Sequence, residues 1–421
     1  MANQDKLLKL FAKRFEAYNT KVLEELAKVI KKFKGLNYSQ ASQLALQLKY
    51  DRSYMDLVDE LAKLTKMTKK EIKKILEATV QEHIDFSETF FKARNMETPI
   101  YQKDLYLTEL VNSVAKVSEG DFTNIAKSTG FTFLDNKNHI KFLNMQETYY
   151  KVIDDCVYAV SEGKDTFDNA MRKTIKQLAD SGVKKIVYAN EGKKQYTQRI
   201  DTAVRRNIQD SIRQISIETE KEFGKRFKAD GVEIIPHSNP APDHMYVQGH
   251  QFSINQYDEK DKLIKEGEFE KFQTDQDCYS YDGTFFPAES EETGRDRRSI
   301  GEYNCYHGVM SIILGVTKPM YTKEQLQEII DKTNQKITID GKVYNRYEAT
   351  QLQRQIETEI RKMKDAHIMY KETNDREGML EAQARITQLT RKYKKISKEA
   401  DLVELLRQRT TVSGYRPIKK R

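Results

Sequence analysis

"HSNPAPDHMYVQGHQFS", residues 237–253, gathers three of the chain's seven histidines, two of its seven prolines and a Gln-Gly pair between long charged stretches that favour helix. Prolines, a Gln-Gly turn and clustered rings do not continue a helix, so this stretch marks an insert of another fold class. The shift extends beyond it. Between about Gly231 and Pro319 lie five of the seven prolines, four of the seven histidines and two of the three cysteines. Strand-like pieces appear there: "VEIIPH", "QFSIN" and "CYSYDGTFFP", with Asp282-Gly283 placed as a two-residue hairpin turn would be. The segment reads as a small α+β domain. A helix from about Arg199 to Phe227, carrying Ile200, Val204, Ile208, Ile212, Ile215 and Phe223 on one stripe, leads into it.

Outward from that domain the chain is helical. Residues 4 to about 222 are rich in Lys, Glu, Leu, Gln and Ala and hold a single proline, Pro99. Thr68 and Glu71 have capping-box spacing, and Ile72, Ile75, Leu76, Val80 and His83 follow in steps of 3 and 4, which predicts a helix starting at Thr68. The one strand-like run in this half is "VKKIVYA", residues 183–189. On the other side, Asp340-Gly341 in "KITIDGKVYN" signals a hairpin. Two stripes follow it, Leu352, Ile356, Ile360, Met363, His367, Tyr370 and then Met379, Ala382, Ile386, Leu389, Tyr393, Ile396. They predict an antiparallel helical hairpin, read as a projecting arm, before a free basic tail, "SGYRPIKKR".

The expected fold is therefore mainly α with a small central α+β domain and a C-terminal antiparallel helical hairpin. The segments are 1–190 helical, 191–320 central, 321–410 hairpin and arm, and 411–421 tail. Composition agrees: 32% of the 421 residues are charged and 38% hydrophobic, with mean hydropathy −0.76, which suits helices with narrow apolar stripes. A net charge of +8 from 72 basic and 64 acidic residues excludes a polycation built to coat nucleic acid. Three cysteines make no disulfide framework, no apolar run approaches the roughly 20 residues that span a bilayer, and "MANQDKLLKLFAKRF" is broken by charge where a signal peptide would be apolar. A soluble protein made in a reducing cytoplasm is expected.

His237, His244, His250, Cys278, Cys305 and His307 all fall in the central domain. Thiolate and imidazole are zinc's preferred ligands, and one structural zinc held by His237, His244, Cys305 and His307 is one reading. No C-x2-C pair supports it, and a hydrogen-bonded core of the same residues is the other reading. An enzymatic alternative uses "PDH" and "NCYH", in which His244, Asn304 and His307 would serve a metal-dependent nuclease or envelope-acting enzyme. No phosphate-binding glycine loop is present.

The order of four motifs carries a family resemblance. "RIDTAVRRNIQDSI", "VEIIPHSNPAPDHMYVQGHQFS", "NCYHGVMSIILGVTKPMYTKEQL" and "GKVYNRYEATQLQRQIETEIRKMK" together resemble the minor capsid protein 2 family of tailed phages, akin to Mu F-type head-morphogenesis proteins. The resemblance runs from about residue 195 to 415, and more weakly over the N-terminal helices. It implies a structural virion component and not an enzyme, assembled in the host bacterial cytoplasm and incorporated in several copies at or near the portal vertex of the head. Portal or major capsid protein would be its partner, with packaged DNA meeting the basic ends and no membrane involved. The signature positions it implies are His237, Pro242, His244, Gln248, Gly249, Asn304, Cys305 and His307. The chain departs from the family at Ala241, where an Arg is usual, and at Val247, where an aromatic is usual.

Overall fold

A computed structural model describes residues 2–134, 137, 139–162, 164–187, 196–291, 294–301 and 305–418. The chain runs through α1 (Ala2–Phe33), α2 (Tyr38–Asp51), α3 (Tyr54–Ala93), α4 (Leu105–Lys127), β1 (Thr129–Leu134), β2 (Ile140–Asn144), α5 (Met145–Ser161), α6 (Lys164–Ser181), β3 (Lys184–Val187), β4 (Tyr196–Arg199) and α7 (Ile200–Arg226). The middle adds β5 (Gly231–Ile234), α8 (Pro242–Met245), β6 (Gln251–Ser253), α9 (Glu268–Gln273), β7 (Cys278–Tyr279), β8 (Phe285–Phe286) and β9 (Val309–Ile312). Then come α10 (Lys323–Asn334), β10 (Ile337–Ile339), β11 (Lys342–Tyr344), α11 (Arg346–Glu372) and α12 (Arg376–Glu399). It is mainly α with small antiparallel sheets, as expected. Two units form, and neither follows one stretch of sequence: Met1–Lys70 with Glu119–Arg205 and Gln351–Arg421, and Glu71–Ser118 with Arg206–Thr350.

In the first unit a four-stranded antiparallel sheet, ordered β2-β1-β3-β4, lies among helices whose apolar stripes supply Phe11, Phe15, Val152, Ile153, Ile175 and Leu178 to the core. Of the run 183–189, Lys184–Val187 is β3, and Tyr188 and Ala189 lie outside the described residues. The α11–α12 hairpin is antiparallel, with Gln353 donating to Ser397 at 2.8 Å and Tyr393 to Glu357 at 3.2 Å. It is not a projecting arm. Asp365 of α11 is fully buried in this unit and accepts hydrogen bonds from Arg199 at 3.0 Å and Asn19 at 3.4 Å, because a buried carboxylate needs partners. Nor is the tail free as far as Ile418. Glu16 accepts from the Ser413 amide at 2.9 Å, Tyr415 stands edge-on to His367, and the Gln383 amide pairs with both main-chain groups of Ile418.

Two local expectations also change. α3 passes through Thr68 unbroken, since Leu57, Leu61, Thr65, Thr68 and Ile72 form one buried stripe and the Thr68 hydroxyl turns back to the Leu64 carbonyl at 2.9 Å. Around Asp282-Gly283 the loop is longer than two residues, because Ser280 and Thr284 still bond across it at 2.9 Å. At Asp340-Gly341 the two-residue turn is as predicted, with φ of 50° and 76°.

Lys184 on β3 is the unit's misfit. Burial, with Lys362 and Arg199 nearby, pulls its amine down to about 8 although it donates to Thr132 at 2.8 Å. The unfolded chain then holds more protons than the folded one between about pH 8 and 10.5, so this lysine destabilises the fold at neutral pH and less as pH rises. Lys184→Met is expected to gain about 1 kcal/mol at pH 7, after discounting for its partial exposure, or about 2–4 °C in melting temperature. Melting of both proteins from pH 7 to 10.5 should show the gain shrinking. A gain independent of pH would show that packing, not charge, is its cause.

In the second unit, β9-β5-β6 forms a three-stranded antiparallel sheet. Val232, Ile234, Phe252 and Val309 pack with Phe269, Phe272, Cys278 and Phe286 as its core. This is the small α+β element expected after α7.

Candidate functional site

Pro242 stands at the first position of α8, where its fixed φ suits a helix start, and brings Asp243 and His244 round beneath it. Arg298 holds both. Its guanidinium meets the Asp243 carboxylate through two bonds of 2.5 Å, and its carbonyl oxygen lies 2.7 Å from His244 Nε2. Burial pushes Asp243 upward, but the Arg298 bonds outweigh it and hold the carboxyl below its usual range.

The Gln-Gly pair serves in two ways. Gln248 Oε1 accepts from the His237 amide at 3.1 Å and lies 3.1 Å from His307 Nε2. Gly249 has φ of +79°, donates to the Ile234 carbonyl at 2.7 Å, and meets the Leu326 side chain where a Cβ would lie. The positive φ is the reason this position favours glycine.

Three of the four expected ligands converge. Cys305 Sγ lies 3.3 Å from His307 Nδ1 and 3.6 Å from His244 Nδ1, and the ligand atoms of all three fall within 4.8 Å of one another. They are 6%, 1% and 2% exposed respectively. Burial, with His237, His244 and Arg298 nearby, pushes His307 down to about 2; burial also holds His244 and His237 below their usual range and raises the Cys305 thiol. His237 is outside the group. Its ring centroid is 4.2 Å from that of His307, but its Nδ1 faces the Ser238 carbonyl at 2.9 Å. Asn304 lies outside the described residues. His250 faces Asp282 at 3.7 Å, and Cys278 lies 3.7 Å from the Arg297 guanidinium.

The Asp243–Arg298 clamp is the part that residue-type reasoning passed over. Its signal was an acid next to His244 and the basic run "RDRRS", whose Arg298 comes 55 residues after Asp243, a pairing that only folding makes.

A family model described as phage minor capsid protein 2 matches residues 4–396. The chain belongs to the phage minor capsid protein 2 family. Neither a curated protein nor a solved structure matches it. Membership makes the chain a structural component of a phage head, at home in the virion. Among the described residues, no helix is long and apolar enough to cross a membrane.

Proposed function

We propose that this minor capsid protein is incorporated at or near the portal vertex and aids head assembly by docking apolar patches of its N-terminal helices onto portal or major capsid subunits. The supporting observation is α2. Ala41, Ala45 and Leu48 bury one face of it, while Leu46 and Tyr50, one turn apart on the opposite face, are 72% and 88% exposed. On α3, Phe86 and Phe90 repeat the arrangement, both exposed with ring centroids 6.2 Å apart. Paired aromatic and aliphatic side chains left in water on helices that already have a core mark a contact surface.

A catalytic role finds less support. The convergent histidines are buried, and a phosphodiester or glycan would have to reach side chains that water scarcely touches.

The test is head assembly with Leu46→Glu/Tyr50→Glu and, separately, Phe86→Glu/Phe90→Glu. Each pair lies on a surface, so melting of the isolated protein should stay unchanged while its copy number in purified heads falls at least about tenfold. Normal incorporation of both variants would sink the docking reading.

A further inference from the structure

We propose that His244, Cys305 and His307 hold one zinc-class divalent cation, bound by the Cys305 thiolate and the two Nδ1 nitrogens, which fastens the segment after β5 to the loop before β9.

Two main-chain groups with no freedom of role set both imidazole tautomers. The Arg298 carbonyl can only accept, so His244 Nε2 at 2.7 Å carries a hydrogen. The His237 amide can only donate, so the Gln248 atom 3.1 Å from it is the oxygen. That oxygen in turn takes a hydrogen from His307 Nε2 at 3.1 Å. A neutral imidazole has one N–H, which leaves both Nδ1 atoms as bare lone pairs.

Both lone pairs face one sulfur, at 3.6 and 3.3 Å. A thiol has a single hydrogen and can satisfy only one of them. The other is left buried against sulfur lone pairs, in a place where unmet polar groups are costly. A cation that replaces the thiol hydrogen satisfies all three atoms at once: the S–H proton leaves to solvent, and one sulfur and two nitrogens each donate a pair to the metal.

The distances agree. Zn–S of roughly 2.3 Å and Zn–N of roughly 2.0–2.1 Å at a tetrahedral angle place sulfur and nitrogen roughly 3.6 Å apart. The outer nitrogens of both rings donate to carbonyl oxygens, the support that metal-bound histidines use to keep orientation and tautomer. One sulfur with two imidazoles favours zinc over calcium or magnesium, which take oxygen ligands. Three protein ligands leave the fourth tetrahedral position to water.

The inference is independent of the docking reading, since it is tested on isolated protein. Chain purified without chelator and dialysed is analysed for metals by inductively coupled plasma mass spectrometry, then stripped and titrated with Zn2+ or Co2+. About one zinc per chain is expected, and the Co2+ form should show the intense sulfur-to-cobalt absorption of a thiolate site. Both should be lost in Cys305→Ser and kept in Cys278→Ser, a buried thiol elsewhere in the same unit. If Cys305→Ser fails to fold, the stripped wild type decides alone. Folded wild type that carries almost no metal and gains no cobalt absorption overturns the proposal, as does stoichiometric metal in a folded Cys305→Ser.

Discussion

Asp365→Ala is expected to destabilise the first unit by about 3–5 kcal/mol, the effect of leaving a buried charge without its partner. Four charges meet in that unit. Asp365 accepts from Arg199 Nη1 at 3.0 Å, Arg199 Nε reaches Asp201 at 3.3 Å, and Asp201 accepts from Arg361 at 2.7 Å. With both carboxylates ionised the set is neutral; the two arginines hold Asp201 below the usual carboxylate range despite its burial, whereas burial raises the Asp365 carboxyl even beside Arg199. Removing Asp365 strands one positive charge at Arg199, which is itself buried and already has one nitrogen with no partner among the described residues. Arg199→Met/Asp365→Leu keeps the neighbouring Asp201–Arg361 pair neutral and should recover most of the loss. Urea unfolding of Asp365→Leu, Arg199→Met and the double variant, each against the parent, gives the coupling directly. A single-variant loss below about 1 kcal/mol would mean that water reaches Arg199 and screens it.

That network also shows how far sequence reading reached. A stripe such as Ile200, Val204, Ile208 and Ile212 lies in one window of the chain, and α7 follows from it. The four-stranded sheet does not. Only "VKKIVYA" among its strands reads as one in the sequence, and β1 pairs Thr129 and Gly130 with Lys185 and Lys184, more than fifty residues away and beyond two helices, a register that no window contains. Thr68 misleads for a different reason. Its capping pattern is local, whereas the stripe that carries α3 through it begins at Leu57. The same reason explains the supposed arm: α11 and α12 have the periodicity of a free hairpin, and pairs distant in sequence, Arg199–Asp365, Asp201–Arg361 and Arg172–Asp375, tie them down. At the site, residue types alone named His244, Cys305 and His307, because few chemistries gather thiol and imidazole. That His237 turns away to its own neighbour's carbonyl depends on one torsion, which composition cannot report.

Phe272→Ala is the counterpart in the second unit, expected to cost about 3–5 kcal/mol for lost burial and cavity. Up to about 2 kcal/mol more comes from a desolvated cation losing its ring. Phe272 is fully buried at the end of α9, with the rings of Phe252, Phe286 and His244 within 5.8, 6.3 and 6.3 Å and the Arg297 guanidinium 4.0 Å above its centre. Arg297 is also buried, and its remaining bonds run to the Pro287 and Gln276 carbonyls and the Cys278 sulfur, none of which carries the full charge that a carboxylate would. The ring face is therefore part of what makes a buried guanidinium tolerable. Phe272→Leu separates the two contributions. It keeps most of the apolar volume and removes the π face, so its loss measures the cation's share, and the difference between the Leu and Ala variants measures the cavity. If Leu costs nothing and Ala the full 3–5 kcal/mol, Arg297 is held by its carbonyls alone. If Leu costs as much as about 2 kcal/mol, the ring is the counter-charge, and Arg297→Met in the Phe272→Leu background should restore what was lost.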